Sequence, residues 1–209
     1  MSKYIIIGII ISACLFIWFD LKNNKSFKYL FKPLTTILII GLATIQEPGD
    51  YNQYKILIFS GLIFSLVGDI FLMLPSDKFV QGLSSFFIAH VLYIIAFSSG
   101  NGPYYELILA LPALVYSSIF LWILLPKTGK LTIPVILYSA VLLVFLWQAT
   151  GRFYYLTNTS ATYVLLGAIL FVISDSILGY SKFINKGRLS SLLIHSTYWG
   201  AQLLLALSI

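Results

Sequence analysis

Two aspartates within long apolar segments are the residues of this sequence best suited to chemistry. Asp69 and Asp175 are the only acidic residues in those segments that do not lie at a segment end. An aspartate at membrane depth costs at least about 2.5 kcal/mol, so it usually faces a protein interior or a water-filled cavity and has a function. If both carboxyl groups meet at low dielectric, they share one proton and form a general acid and base. The alternative is that each aspartate caps backbone or pairs with a lysine at the interface.

Further polar side chains lie in the predicted helices of the aspartates, at the same end of neighbouring helices or, for His90 and Tyr93, deeper in the fourth helix. We assign these to substrate binding: Lys32, Thr36, Ser65, His90, Tyr93, Ser174, His195, Tyr198 and Gln202. For each histidine, an interhelical hydrogen bond is the alternative to a role in the reaction. A metal site of two aspartates and a histidine is chemically possible, but no compact ligand motif supports it. We therefore expect no metal and no other cofactor.

The composition decides which elements must position these residues. Of 209 residues, 59% are hydrophobic and only 10% are charged, whereas an average soluble domain has roughly a quarter charged residues. A soluble or disordered chain is excluded, and Cys14, as the single cysteine, excludes a disulfide-rich one. The sequence predicts an integral membrane protein with a single transmembrane domain over residues 1–209.

Apolar runs of helical length predict an all-α fold with eight transmembrane helices. Their approximate bounds are 4–19, 31–46, 55–74, 80–98, 104–125, 131–150, 160–180 and 189–208. The second run is the weakest, and we place Pro33 in its first turn, where proline is tolerated.

The distribution of basic residues predicts the orientation. Ten lysines and arginines fall on the side of the loops after helices one, three, five and seven, and three fall on the other side. Cytoplasmic loops are the basic ones, so we expect both termini outside and the protein in a bacterial inner membrane. The net charge of +6 then favours the lipid bilayer as partner over nucleic acid. No motif predicts the oligomeric state.

An internal repeat relates residues 64–93 to residues 171–198. A Leu-Ser-Ser triplet starts 14 residues after Asp69 and 14 after Asp175, and a histidine follows each aspartate after 21 and 20 residues. The pattern predicts two parallel four-helix repeats around an axis along the membrane normal. Chance similarity between apolar segments is the alternative.

Several motifs resemble those of the YhhN-type lysoplasmalogenase family. They are Lys32-Pro-Leu-Thr-Thr36, Phe64-Ser-Leu-Val-Gly-Asp69, Phe87-x-x-His90-x-x-Tyr93, Phe171-x-x-Ser174-Asp175 and Thr197-Tyr-Trp-Gly-Ala-Gln202. The resemblance implies an eight-helix membrane hydrolase that cleaves the vinyl-ether bond of lysoplasmalogens, a class of lysophospholipid. Its products would be a fatty aldehyde and glycerophosphoethanolamine or glycerophosphocholine, with Asp69 and Asp175 as the essential acids. Trp199 and Gly200 depart from the family pattern, and His195 lies outside it.

The residues also suggest roles within this reaction. Asp69 has apolar neighbours in Ile70 and Phe71, while Asp175 lies between two serines, so the sequence favours Asp69 as the acid that protonates the vinyl ether. Lys32 is the favoured ligand for the phosphate headgroup. Two alternatives remain: a proton-coupled transporter of a small or lipid-like solute, because paired buried acids also suit a proton relay, and a passive lipid-binding or scaffold protein.

Overall fold

The described residues form a bundle of eight α-helices. The computed structural model describes residues 2–47, 52–74, 76–100, 102–187 and 189–209, with Lys25 described by its backbone only. The helices are α1 (Ser2–Leu21), α2 (Lys25–Ile45), α3 (Asn52–Met73), α4 (Phe79–Ser98), α5 (Leu111–Leu124), α6 (Thr132–Leu156), α7 (Thr159–Phe183) and α8 (Ser190–Leu207). Short 3-10 turns flank α5, and the described residues contain no strand. The predicted all-α class is confirmed.

The start of α2 differs from the bound predicted from the sequence. This helix begins at Lys25 rather than near residue 31, and the side chain of Asn24 accepts a hydrogen bond from the backbone N–H of Phe27. Pro33 therefore lies inside α2, and its expected place in the first turn is wrong. Lys28, in the added turns, forms an ion pair with Asp20 of α1, which allows this polar stretch to be helical.

Seven helical segments of the described chain are long and apolar enough to cross a membrane. They comprise α1 to α4, the α5 segment with its flanking turns, α6 and α7. The 18-residue α8 is not among them, because polar side chains interrupt its apolar sequence. The protein is thus an integral multi-pass membrane protein. Seven described segments, rather than the predicted eight, are long and apolar enough to cross a membrane.

Neighbouring helices pack in pairs, α1 on α2, α3 on α4 and α7 on α8. The pairs are joined because α2 packs on α8, α4 on α6 and α6 on α7. Large side chains such as Phe97, Phe145 and Phe171 are fully buried at the centre. By contrast, α5 lies at the periphery and buries only Ala113 and Leu124.

Small residues let α3 and α4 approach closely. A Cβ atom on Gly61 would overlap the ring of Tyr93, and one on Gly68 would lie 2.6 Å from a ring carbon of Phe86. Gly61, Gly68 and Asp69 are all buried. These small residues of α3 thus face the protein interior, and this packing turns the Asp69 side chain into the bundle.

Candidate active site

One cavity of about 490 Å³ is lined by both intramembrane aspartates. Side chains of α2, α3, α4, α7 and α8 form its walls. The loops after α3 and α7 also line it, so it opens at the end of the bundle that carries the loops after α1, α3, α5 and α7, which we call the lysine-rich face. Asp69 and Asp175, which the sequence singles out, thus both line one cavity.

The surroundings of Asp69 are strongly polar. Its Oδ1 lies 3.3 Å from the Nζ of Lys32, and its Oδ2 accepts hydrogen bonds from Thr36 Oγ1 at 2.9 Å and Tyr198 OH at 2.8 Å. The residue is 3% exposed. An ionised carboxylate is an acceptor with two oxygens, and one cation with two hydroxyl donors satisfies it.

A second layer of side chains holds these donors in place. Gln202 Nε2 donates to the hydroxyl oxygen of Tyr198 at 2.7 Å, which leaves the Tyr198 proton directed at Asp69. Trp199 Nε1 lies 3.3 Å from Thr36 Oγ1 and donates to it. Trp199, which departs from the family pattern, thus belongs to the Asp69 network. A buried indole N–H needs an acceptor, so a tryptophan in an apolar segment predicts a hydrogen bond to a polar side chain nearby.

Asp175 has much sparser surroundings. Its side chain is half-buried, and its Oδ2 accepts a single hydrogen bond, from Tyr138 OH of α6 at 2.5 Å. No lysine or arginine of the described chain lies within ion-pairing distance of it. Tyr138 was missed at the sequence level, since it is one of 14 tyrosines and no spacing distinguishes it.

One expectation from the sequence is therefore wrong. Asp69, whose chain neighbours are apolar, has the more polar environment, because its partners come from α2 and α8 rather than from α3. Lys32, expected to hold a headgroup, lines the cavity with its Nζ beside Asp69, and its role as a headgroup ligand stays a prediction. Chain neighbours point to other faces of a helix and do not determine what a side chain contacts.

Two more of the predicted residues border the cavity. His195 lines it, and its Nδ1 lies 2.7 Å from the carbonyl oxygen of Ser191. A carbonyl only accepts, so Nδ1 carries a proton and Nε2 is the acceptor of the neutral ring. Ser174 also lines the cavity and donates from Oγ to the carbonyl oxygen of Ile194 at 3.0 Å, which ties α7 to α8.

Five predicted residues do not line the cavity: Thr36, Ser65, His90, Tyr93 and Gln202. Thr36 and Gln202 act on it through Asp69 and Tyr198. His90 is fully buried between the rings of Phe145 and Phe171, at centroid distances of 4.7 and 4.5 Å.

Tyr93 and Ser65 lie beside each other, with their hydroxyl oxygens 3.3 Å apart. The structure thus gives Ser65, His90 and Tyr93 packing and supporting contacts in place of direct contact with a ligand in the cavity.

Lysines surround the mouth of the cavity. The set comprises Lys28, Lys78, Lys182 and Lys186, with Lys32 deeper inside. Asp77 pairs with Lys182 at 3.2 Å, and this lysine holds the pKa of the Asp77 carboxylate below its ordinary value. Lys78 and Lys186 form no ion pair within the described part of the chain. The mouth therefore carries unneutralised positive charge.

These features define an all-helical, multi-pass membrane protein in which two carboxyl groups border one cavity with a cationic mouth. The chain belongs to the YhhN family, whose model matches residues 27–209. This confirms the family resemblance that the sequence motifs indicate.

Named relatives cover nearly the whole chain. It is 32% identical over 203 residues to human lysoplasmalogenase TMEM86B, which covers 95% of this chain and 83% of that protein. It is 36% identical over 159 residues to bovine lysoplasmalogenase TMEM86A, covering 72% and 64%. It is 26% identical over 203 residues to the uncharacterized membrane protein YhhN of Escherichia coli, covering 95% and 97%. No solved structure matches the chain significantly.

Proposed function

We propose that this protein is a membrane lysoplasmalogenase. It would hydrolyse the vinyl-ether bond of lysoplasmalogens to a fatty aldehyde and glycerophosphoethanolamine or glycerophosphocholine. Relatives that bear the name lysoplasmalogenase support the substrate class. The observation that carries the proposal is the pair of intramembrane carboxyl groups on one cavity, one held by a cation and two hydroxyls and the other by a single tyrosine.

Asp175 is the proton donor in this proposal. Without a cation beside it, a carboxyl group in a low-dielectric site is more stable with its proton than without it. It transfers that proton to the β-carbon of the vinyl ether, and the double-bond electrons form the new C–H bond. Positive charge then develops on the adjacent carbon and the ether oxygen.

Asp69 is the anion that stabilises this oxocarbenium ion. Lys32, Thr36 and Tyr198 hold it ionised and fixed, so little reorganisation is required as the charge forms. Asp175, now a carboxylate, accepts a proton from the water that attacks the cationic carbon. The resulting hemiacetal then breaks its C–O bond to the glycerol oxygen. Its hydroxyl proton is transferred to that departing oxygen through Asp175, and the aldehyde and the alcohol leave. One water is consumed for each bond cleaved.

The substrate headgroup would lie at the mouth of the cavity. Lys78 and Lys186 are the favoured phosphate ligands, because neither forms an ion pair within the described chain. We favour them over Lys32 for this role because the Nζ of Lys32 pairs with Asp69. His195, with Nε2 as an acceptor, is placed to bind the attacking water or a headgroup donor.

We also propose that α8 is the eighth membrane crossing and that the two halves are parallel repeats. In support, α2 packs on α8 as α6 packs on α4. Each of α2 and α6 contains a proline, and each supplies a hydroxyl to the aspartate of its own half, Thr36 to Asp69 and Tyr138 to Asp175. The proposed orientation has both termini outside and the lysine-rich face in the cytoplasm of a bacterium.

The test is aldehyde release by the purified protein in lipid vesicles. A lysoplasmalogen should yield aldehyde, and the saturated alkyl-ether lysophospholipid should yield none, because protonation requires the double bond. In heavy water, aldehyde trapped at once as a hydrazone should carry one deuterium next to the carbonyl. No aldehyde from the vinyl ether would refute the proposal, and uptake driven by a pH gradient in the same vesicles would support the transporter instead.

A further inference from the structure

A second, narrow cavity lies on the other side of Asp175. It has a volume of about 60 Å³ and is enclosed by side chains of α4, α5, α6 and α7. Its walls are mostly apolar, with Ala113, Phe120, Leu142 and Leu146 among them. We call it the α5 groove. Asp175, Phe79 and Leu178 line both this groove and the larger cavity, so the two spaces adjoin at Asp175.

The wall formed by α5 is the least firmly packed in the bundle. Only Ala113 and Leu124 of α5 are buried, and Trp122 on the same helix is 78% exposed. One hydrogen bond, from Tyr116 OH to Ser176 Oγ at 2.7 Å, links α5 to α7. In a membrane protein, such an exposed helix face lies against lipid. The groove is therefore separated from the bilayer by one loosely held helix.

We propose that the α5 groove holds the hydrocarbon chain of the single-chain phospholipid substrate. The inference rests on the proposed function. A phosphate at the cationic mouth and a chain in the apolar groove would place the junction of head and chain next to Asp175. In a lysoplasmalogen that junction is the vinyl-ether bond, so the acid lies where the chemistry requires it.

The α5 groove is too small for a fatty chain unless α5 moves. A volume of 60 Å³ holds about four or five water-sized groups, which is much less than a fatty chain occupies. The chain must displace α5 to enter, and the buried surface that opposes this displacement is small. The substrate chain thus enters from the bilayer between α5 and α7, and the fatty aldehyde leaves by the same route.

Gly179 of α7 offers a way to block the groove. A Cβ atom at this position would lie 3.5 Å from both Phe120 and Leu124, which is ordinary van der Waals contact, so Gly179→Ala fits and narrows the groove slightly. Gly179→Phe would fill it. Ile119→Phe is the matched control, because Ile119 is 56% exposed on α5 and does not line the groove.

The experiment uses a saturated alkyl-ether lysophospholipid with a diazirine at the end of its chain. This probe is not hydrolysed, so labelling reports chain position independently of turnover. After illumination in vesicles, we expect the label on the groove-facing residues of α5 and α6, competed by unlabelled lysophospholipid. Labelling should fall at least tenfold in Gly179→Phe, fall less in Gly179→Ala and be unchanged in Ile119→Phe.

Label confined to the larger cavity, or equal labelling in Gly179→Phe and wild type, would overturn the inference. Circular dichroism and gel filtration establish that the variant is folded. If Gly179→Phe does not fold, Ala113→Phe blocks the same groove from α5 and decides the question. Aldehyde release by the wild type is measured separately, so failure of the proposed function is distinguishable from failure of the groove assignment.

Discussion

The two aspartates have contrasting surroundings in the bundle. We call the surroundings of Asp69 the polar corner and those of Asp175 the sparse corner. Asp69 is buried with a lysine and two hydroxyl donors, whereas Asp175 is half-buried with one tyrosine and no cation among the described residues. The difference supports our proposal that one cavity holds an ionised and a protonated carboxyl group together. The two carboxyl groups differ in their partners: α2 and α8 supply a lysine and two hydroxyl donors to Asp69, whereas α6 supplies one hydroxyl donor to Asp175.

The largest expected effect is a loss of turnover rate when Asp175, in the sparse corner, is replaced. Asp175→Asn removes the proton donor, and general acid catalysis contributes about 10² to 10⁴-fold, so aldehyde release should fall at least about a hundredfold. Stability should not fall, since no cation is left unpaired. Turnover in vesicles and thermal unfolding in detergent measure the two quantities. Activity within tenfold of wild type would remove Asp175 from the mechanism.

The polar corner should respond in both rate and stability. Asp69→Asn leaves Lys32, whose side chain is 12% exposed, without its counter-charge, and breaking such a pair costs up to about 3–5 kcal/mol when both partners are buried. The double variant Lys32→Met/Asp69→Asn should regain most of that stability but no activity. Equal stability of the single variants Asp69→Asn and Asp175→Asn would contradict the contrast between the corners.

A smaller effect is expected from the phenol beside Asp175. Tyr138→Phe deletes the hydrogen bond to Asp175, which strengthens as that carboxyl group gives up its proton in the reaction. A hydrogen bond contributes about 0.5–1.5 kcal/mol between neutral groups and about 1.5–3 kcal/mol to a charged one, so kcat should fall about five- to tenfold. Tyr155→Phe is the control, because its hydroxyl contacts Glu106 at the opposite end of the bundle. Similar losses in both variants would point to a general effect on folding.

The smallest effect is expected at the mouth. Asp77 and Lys182 form an exposed pair, and such pairs contribute little, so Lys182→Ala should change KM a few-fold at most, and less at high salt. Because Lys182 lowers the pKa of Asp77 below 3.8, the pair is complete at neutral pH and is lost only as the pH falls through that lowered value. A KM that changes between pH 5 and 8 in wild type but not in Lys182→Ala would contradict the conclusion that this pair is complete over that range.

The sequence predicts more of the fold than of the site. Apolar periodicity is a local property, so it identifies eight helices and the buried face of Asp69. Partners are not local: Asp69 bonds to Thr36, 33 residues away, and to Tyr198, 129 residues away. Tyr138 and the pairing of Lys32 with Asp69 depend on how distant helices pack, which no spacing within one helix reveals. The start of α2 was missed because its first turns are polar.

The division of protonation between the two aspartates is tested most directly by infrared spectroscopy. A protonated carboxyl group has a C=O stretching band separate from those of carboxylates and amides. The band should be present in wild type and in Asp69→Asn and absent from Asp175→Asn at neutral pH. A band that persists in Asp175→Asn and disappears in Asp69→Asn would show that the proton resides on Asp69 and would contradict the account.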